Sequence, residues 1–270
     1  MSINLSITQI LTYPVKSIAG IHHVSARVTP FGLEGDRMKM LVDKNGLFIS
    51  QRKYPQLALI SIQTEGDDLV LNAPGMSEIK IKEAPVNRNS CIFVEVWGDK
   101  CRGIETSPEA SLWFSEYLKT EIRLVSYDQS FLRPTDPDYS QAGDVVSFAD
   151  GFPLLLTTEG SLADLNSRLD TPVEMRNFRP NIVVKGCHAF AEDEWKKLRV
   201  GEIIFDLVKP CSRCILTTVD PDTGKKSSIG EPLKTLASYR RGPGGVYFGM
   251  NLIPRTQGTI NLTDGVEIIN

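Results

Sequence analysis

The chain is poor in the residues that mark several common protein classes. It has five cysteines and three histidines in 270 residues, and an odd, low cysteine count fits a reducing compartment better than a disulfide scaffold. No apolar run approaches the roughly 20 residues that a membrane-spanning helix needs. The N-terminus lacks a basic segment followed by a long apolar one, so we expect no signal peptide. These absences predict a cytoplasmic protein without a membrane segment.

A strong bias in charge is missing as well. The formal net charge is −3 and the sequence pI is about 5.7, so we expect no nucleic-acid partner and no general affinity for polyanions. The short motifs of P-loops, dinucleotide-binding turns, nucleophile elbows and zincin metalloproteases do not occur. Any cationic cluster must therefore be local.

The sequence instead contains many short strand-like runs separated by turn signals such as Asp43-Lys44-Asn45-Gly46. Strands that recur every 8–12 residues or so suggest a barrel or sandwich rather than a parallel α/β sheet. The predicted strands are 3–14, 23–29, 38–42, 47–50, 57–63, 68–71, 78–81, 91–96, 145–149, 153–157, 181–184, 203–208, 215–219, 246–252 and 258–262. We predict a mainly β fold with a few helices.

Three helices are predicted. The first runs from about Ser107, a plausible N-cap, to Lys119, with Pro108 at its first position. The second begins with Ser161 and Asp164, and a short third covers 232–239. Their predicted apolar sides are Leu112, Trp113, Tyr117 and Leu118 in the first helix, and Leu162, Leu165 and Leu169 in the second. The segment 128–142, rich in Pro, Asp, Ser and Gln, predicts a linker or exposed loop and a domain boundary near residue 130.

The stretch Lys209–Gly224, KPCSRCILTTVDPDTG, contains the C-x-x-C pair Cys211 and Cys214 with Arg213 between them. Nearby cations hold a reactive cysteine as thiolate, so the pair is a candidate for sulfur chemistry. Three other interpretations stay open. The pair could be half of a zinc site, a thioredoxin-like dithiol, which would open a helix where we predict a strand, or two small buried side chains in a turn.

Three basic positions have neighbours suited to anion binding. Lys16 and Ser17 lie in a turn after the first predicted strand, where ammonium, hydroxyl and backbone N–H groups suit a phosphate. Arg37 leaves a turn and enters a strand, and Arg179 lies in the segment RNFRPN, whose guanidinium forks suit phosphate or a polar heterocycle edge. The simpler alternatives are a solvated loop lysine and an ion pair of Arg37 with Asp36 alone.

Six segments together resemble the MOSC family, named for the C-terminal domain of molybdenum-cofactor sulfurases. They are YPVKS (13–17), GDR (35–37), SLADLN (161–166), NFRPNIV (177–183), CSRC followed by LTTVDPDTG (211–224) and FG-x-N (248–251). Within the family, the chain looks most similar to amidoxime-reducing component and YcbX-type proteins. The resemblance implies an N-terminal MOSC β-barrel region, residues 1–128, followed by a MOSC β-barrel domain, residues 129–270.

The resemblance also implies a molybdenum–molybdopterin cofactor. The family's catalytic, metal-binding cysteine matches Cys214, which leaves Cys211 as a structural residue. The positions that match the family's cofactor contacts are Lys16, Ser17, Arg37, Asp150, Gly151, Phe152, Arg179, Asn181, Ser212, Arg213 and Asn251. At Asn251 some relatives carry Tyr, and the segment 150–152 is expected to contribute backbone groups.

The implied activity is an oxidoreductase reaction, the reductive detoxification of small N-hydroxylated compounds such as amidoximes, hydroxylamines and N-hydroxylated bases. The chain ends at Asn270 without the cysteines of a [2Fe–2S] domain. We therefore expect electrons from a separate flavoprotein, ferredoxin or cytochrome b5-type donor.

Two alternatives use the same residues. One is a sulfur carrier or sulfurtransferase with a persulfide on Cys214, acting in metal–sulfur or cofactor assembly. Pyridoxal phosphate binding is an association of the family only, because the desulfurase portion of cofactor sulfurases has no counterpart here. The other alternative is a non-catalytic cofactor carrier.

Overall fold

Strands make up most of the regular structure in a computed structural model, which describes residues 5–82 and 90–269. The strands are β1 (Ser6–Thr12), β2 (Ile21–His23), β3 (Ser25–Thr29), β4 (Gly32–Leu33), β5 (Lys39–Val42), β6 (Ser61–Glu65), β7 (Asp68–Asn72), β8 (Ile79–Ile81), β9 (Cys91–Val96), β10 (Asp99–Glu105), β11 (Arg123–Tyr127), β12 (Leu154–Thr158), β13 (Ile182–Lys185), β14 (Lys197–Val200), β15 (Ile203–Arg213), β16 (Arg241–Gly242), β17 (Gly245–Pro254), β18 (Gly258–Asn261) and β19 (Val266–Ile268). The helices are α1 (Pro108–Leu118), α2 (Glu159–Asn166) and α3 (Leu233–Tyr239), and 3₁₀ helices cover Pro55–Leu59, Met175–Asn177, Ala191–Glu194 and Ile215–Thr218.

The largest sheet joins the two ends of the chain. Its order is β19-β14-β15-β17-β12-β13-β1-β2, with β16 paired to β17, and β12 and β13 are its parallel neighbours. Smaller sheets have the orders β5-β11-β10-β9, β18-β3-β4 and β6-β7-β8. Since β1 pairs with β13 and β3 pairs with β18, the sheets do not separate at residue 128. The domain limits drawn from the sequence stay a prediction.

The strand β15 is irregular where it approaches the cysteine pair. Its register with β17 shifts between Leu207 and Lys209 and again between Pro210 and Ser212. Bulges of this kind bend a strand and re-aim its side chains, and they are frequent beside active sites. In a regular strand, consecutive side chains would point to opposite faces of the sheet.

A cluster of buried aromatic side chains supports the sheet behind this strand end. Tyr13, Phe178 and Phe248 belong to one apolar cluster, and the rings of Phe178 and Phe248 stack with centroids 4.0 Å apart. Full burial of one such ring contributes about 2–3 kcal/mol to folding. The cluster therefore gives the backbone around Phe178 a firm position.

Helix α1 confirms the predicted N-terminus but corrects its predicted apolar side. The Ser107 hydroxyl accepts a hydrogen bond from the Ala110 N–H at 3.1 Å. Leu112, however, is 71% exposed. The buried positions Ala110, Phe114 and Leu118 are spaced by four residues and form the stripe that faces the core, and Leu112 lies off that stripe.

The strand predicted at 215–219 is wrong, because Ile215–Thr218 forms a 3₁₀ helix. The hydroxyls of Thr217 and Thr218 donate to the carbonyls of Cys214 and Ile215 at 2.9 and 2.7 Å. Such local bonds compete with the strand ladder that β-branched residues otherwise favour.

Other departures from the predicted elements are smaller. The runs 47–50 and 145–149 make only isolated bridges, and 57–63 begins as the 3₁₀ helix Pro55–Leu59. The second helix starts at Glu159 with Thr158 as its cap, rather than at Ser161. The strands β4, β10, β11, β14, β16 and β19 were not predicted.

Candidate functional site

A cavity of about 140 Å³ is lined by all twelve residues predicted as cofactor or metal ligands. They are Lys16, Ser17, Arg37, Asp150, Gly151, Phe152, Arg179, Asn181, Ser212, Arg213, Cys214 and Asn251. Positions more than two hundred residues apart thus meet at one place, while the roles of the individual residues stay predictions.

Lys16 is held in the cavity wall by the backbone that follows β1. Its N–H donates to the Lys39 carbonyl at 2.8 Å, and the Lys39 N–H donates to the Pro14 carbonyl at 2.9 Å. The Lys16 side chain is 7% exposed and pairs with Asp150. Burial lowers the pKa of Lys16, and the Asp150 carboxylate opposes that shift. The residue is therefore not the solvated loop lysine of the simpler interpretation.

Two guanidinium groups of the same wall lie against the ring of Tyr13. The guanidinium carbons of Arg37 and Arg179 lie 4.3 and 4.1 Å from its ring centroid. The phenol donates to the Pro180 carbonyl at 3.1 Å, and burial raises the pKa of Tyr13 to about 12. The aromatic ring stabilises both cations by cation–π attraction.

The two guanidinium groups differ in their anionic partners. Arg37 donates to the Asp36 carboxylate at 2.5 Å and to the Asn181 side-chain oxygen at 2.9 Å. Arg179 donates to the Ile18 carbonyl at 2.6 Å, and within residues 5–82 and 90–269 it forms an ion pair with no carboxylate. Burial lowers the pKa of Arg179 to about 10, and repulsion from Arg37 acts in the same direction. Arg37 is paired with Asp36 and also lines the cavity, and its role towards an anion stays a prediction.

Strained backbone is concentrated around the cavity. Among the described residues, seven residues other than glycine have positive φ. Four of them line the cavity, namely Ser17, Arg37, Trp97 and Arg179. Left-handed conformations of such residues cost free energy and cluster at ligand sites, where the surrounding structure holds them in place.

The end of β15 carries the thiols. Cys211 and Cys214 are free and partly exposed, and both line the cavity. Arg213 contacts the Cys211 sulfur at 2.8 Å and donates to the Phe178 carbonyl at 2.7 Å, while its Nε is buried without an acceptor. The Ser212 hydroxyl donates to the Gly244 carbonyl at 2.9 Å. In the described ranges, no three His, Cys, Asp or Glu side chains converge as a metal-binding group.

A buried arginine positions the segment around Asp150. Arg133 is 3% exposed and donates to the carbonyls of Ser147, Ala149 and Asp150 at 2.8, 2.7 and 3.0 Å. Enclosure opposes ionisation of Asp150, but its pairing with Lys16 outweighs this and lowers the pKa of the carboxyl. A Cβ on Gly151 would meet nothing within 4 Å, so the backbone there is open to a ligand.

The side chains of Asn181 and Asn251 differ in the number of hydrogen bonds that they make within the protein. The Asn181 side chain is 1% exposed; it donates to the Leu11 carbonyl at 3.1 Å and accepts from the Leu155 N–H at 3.1 Å as well as from Arg37. Its amide is therefore committed to holding β1, β12 and Arg37 together. Asn251 makes one such bond, to the Lys209 carbonyl at 3.1 Å.

The charge of the cavity wall is uneven. Its cationic side chains are Lys16, Arg37, Arg52, Arg179 and Arg213, and its acidic side chain is Asp150. Five cations against one carboxylate give the lining an excess of positive charge, and the wall therefore suits an anionic ligand such as a phosphate.

Sequence reasoning missed several lining or supporting residues. Phe48, Ser50, Arg52 and Trp97 line the cavity from the first half of the chain, and Arg133 lies in the segment predicted as a linker. The glycine at position 98, just after the strand-like run 91–96, was the available cue for a turn, but nothing in the sequence placed that turn beside Lys16.

The sequence comparisons define the class of protein. Residues 4–121 match the MOSC N-terminal beta barrel domain and residues 143–267 match the MOSC domain, which confirms the predicted fold class. "Mitochondrial amidoxime reducing component 2" of Bos taurus is 37% identical over 87% of this chain and 72% of that protein. "Mitochondrial amidoxime-reducing component 1" of Homo sapiens is 35% identical over 98% and 83%. The chain belongs to the MOSC-domain family that contains these amidoxime-reducing components.

Two further findings concern a solved structure and the cellular location. The crystal structure of YiiM from Geobacillus stearothermophilus is 13% identical, with a TM-score of 0.33 over 44% of this chain and 55% of that chain, which is too distant to carry an argument. Among the described residues, no helix is long and apolar enough to cross a membrane. The names of the relatives say mitochondrial, so the predicted cytoplasmic location is not confirmed.

Proposed function

We propose that the chain is a molybdenum-dependent reductase of N-hydroxylated compounds that takes electrons from a separate donor protein. The supporting observation is that Cys214 shares one cavity with five cationic side chains and one acidic side chain. A soft thiolate suits a metal already bound by sulfur, and the cationic side chains suit the phosphate of a pterin cofactor. The names of the relatives agree with amidoxime reduction.

Different residues of the cavity would hold different parts of the proposed cofactor. Lys16, Ser17 and Arg179 would hold its phosphate, and Cys214 would hold its metal. Arg213, with an Nε that lacks an acceptor, and the open backbone at Gly151 would meet its pterin. A molybdopterin cofactor, when bound, supplies the two-electron chemistry that cleaves an N–O bond.

The overall reaction requires a source of electrons and protons and a site with limited access of water. An amidoxime takes up two electrons and two protons to give an amidine and one water molecule. Phe48, Trp97 and Leu216 also line the cavity, and these apolar side chains would limit the access of water. The electron donor would be a flavoprotein, a ferredoxin or a cytochrome b5-type protein. A cytoplasmic location is part of the proposal.

The test combines metal content with turnover. Wild-type protein and the Cys214→Ala variant are produced in a host that makes the cofactor, and molybdenum per chain is measured together with benzamidoxime reduction using each class of donor. We expect about one molybdenum per wild-type chain, conversion to benzamidine, and loss of both in the variant. Molybdenum without turnover by any donor contradicts the reductase and favours a cofactor carrier. Sulfane sulfur on Cys214 without molybdenum favours the sulfur carrier.

A further inference from the structure

One part of the cavity wall has no ligand assigned to it in the scheme above. Phe48, Arg52 and Trp97 line the same cavity as Cys214. Phe48 and Arg52 follow β5, and Trp97 lies in the turn between β9 and β10. All three come from the first half of the chain, whereas the thiols come from the second half.

Arg52 presents hydrogen-bond donors that the protein does not use. Its guanidinium carbon lies 4.0 Å from the centroid of the Trp97 ring, and its Nε is buried without an acceptor. Across residues 5–82 and 90–269, the guanidinium has neither a hydrogen-bond acceptor nor a carboxylate partner. Its backbone carbonyl is anchored by Lys226 Nζ at 2.6 Å. Because buried donors without acceptors are costly, an acceptor on a ligand is expected here.

Trp97 is held in a conformation that its residue type disfavours. Val96 pairs with Asp99 across a two-residue turn in which Trp97 has a φ of 55° and Gly98 a φ of 96°. Turns with two positive φ values favour Asn or Asp at the first position. The Trp97 indole N–H donates to Asp150 at 2.8 Å, which fixes the ring. An aromatic side chain kept there at 46% exposure indicates a use beyond packing.

Phe48 completes a corner of two aromatic rings. Its ring meets that of Trp97 at 84° with centroids 5.2 Å apart, and the Lys16 ammonium lies 5.0 Å from the Phe48 centroid. A flat conjugated ligand can pack on the face of one ring and the edge of the other. Arg52 would lie at the same corner as a donor to the polar end of that ligand.

We propose that Phe48, Arg52 and Trp97 form the substrate subsite of the proposed reductase and select planar, conjugated N-hydroxylated compounds. The conjugated part packs into the aromatic corner, and Arg52 donates hydrogen bonds to the oxygen of the N–OH group. The subsite binds and orients the substrate and adds no co-reactant to the two-electron, two-proton reaction. The inference rests on the proposed function, which it deepens by naming the substrate class.

The kinetic test compares benzamidoxime with acetamidoxime, which share the amidoxime group and differ in the ring. We expect Trp97→Leu to lower kcat/KM about five- to tenfold for benzamidoxime and less than about twofold for acetamidoxime, while Trp97→Phe retains most of the preference. Arg52→Leu should lower kcat/KM for both substrates by about tenfold or more, with partial recovery in Arg52→Lys. Molybdenum content should stay at the wild-type level throughout. The matched control is Arg199→Leu, on strand β14 outside the cavity lining.

The binding test needs no turnover. Benzamidoxime is titrated into oxidised wild-type protein without an electron donor while tryptophan fluorescence is recorded. Of the three tryptophans, Trp113 and Trp195 are 8% and 9% exposed, against 46% for Trp97. We expect saturable quenching in the wild type and none in Trp97→Phe.

Three results would overturn the subsite. They are loss of molybdenum in Arg52→Leu, which would assign this residue to the cofactor, equal losses for both amidoximes in Trp97→Leu, and quenching that persists in Trp97→Phe. A wild type that holds molybdenum but reduces neither amidoxime contradicts the proposed function instead, and the fluorescence titration then still decides whether a conjugated ligand binds at Trp97.

Discussion

The two walls of the cavity are built in opposite ways. In the cationic wall, Lys16 is buried and Arg37 and Arg179 are partly buried against the buried ring of Tyr13. These side chains are fixed by stacking, by carboxylates and by backbone carbonyls. The thiol wall, residues 211–214, is the bulged and partly exposed end of one strand. The difference indicates a division of labour, in which a preorganised region binds a fixed anion and an accessible region carries the reactive sulfur.

The largest expected effect tests whether the thiol wall has one functional cysteine or two. Cys214→Ser should remove bound molybdenum and benzamidoxime reduction together, because a hydroxyl is a poor ligand for a soft metal centre. Cys211→Ser, three residues away on the same wall, should retain molybdenum and most of the activity. Equal losses in the two variants would contradict the asymmetry, since both sulfurs line the cavity.

A second prediction concerns the rigidity of the cationic wall. Asp36 is 1% exposed, pairs with Arg37 and accepts the Tyr13 N–H at 2.7 Å. Asp36→Asn should lower the free energy of unfolding by about 3 kcal/mol, because it leaves a buried guanidinium without its counter-charge. The control is Glu34→Gln, which removes an exposed pair with Arg27 at 3.6 Å and should cost less than about 1 kcal/mol. Urea denaturation measures both, and similar losses would refute the contrast.

The cationic wall also shows which features of the site could be predicted from the sequence alone. YPVKS and NFRPN are contiguous motifs, and the family resemblance carried Lys16, Arg37 and Arg179 to one predicted site. The contact of the Tyr13 ring with two guanidinium groups could not be predicted, because it depends on β1 and β13 lying side by side in the sheet. Pairing between strands this distant in sequence leaves no local periodicity to detect.

The thiol wall was harder to predict for a different reason. Ile215–Val219 has strong strand propensity, and the hydroxyls of Thr217 and Thr218 reverse the outcome by closing a 3₁₀ helix. Arg52 and Trp97 had no motif at all, because their chemistry comes from a contact between the segment after β5 and the turn between β9 and β10. Propensity is overruled by such contacts wherever local hydrogen bonds or tertiary packing offer more stabilisation.

The third prediction asks which guanidinium of the cationic wall binds the anion. Arg179→Met removes a charge-assisted hydrogen bond to the cofactor's anionic group, and the neighbouring cations do not replace that bond. We therefore expect cofactor retention to weaken about 10- to 100-fold. Molybdenum content after dialysis at increasing salt measures the effect. Arg176→Met is the control in the same segment, since Arg176 is paired with Glu174 and Asp222 at the surface. A larger loss in the control would remove Arg179 from the proposed phosphate site.

The smallest effect is an alkaline titration of the ring at the centre of the cationic wall. Burial raises the pKa of Tyr13 from 10.0 to about 12, so the folded state binds this proton more tightly than the unfolded chain does. The stabilisation is complete below pH 10 and declines as the pH rises from about 10 towards 12. By pH 11 the wild type should have lost about 1.4 kcal/mol that Tyr13→Phe does not lose. Unfolding free energies of both proteins at pH 8 and pH 11 measure the difference, and the comparison cancels the other tyrosines. Parallel curves would mean that the ring against Arg37 and Arg179 ionises as readily as one in water.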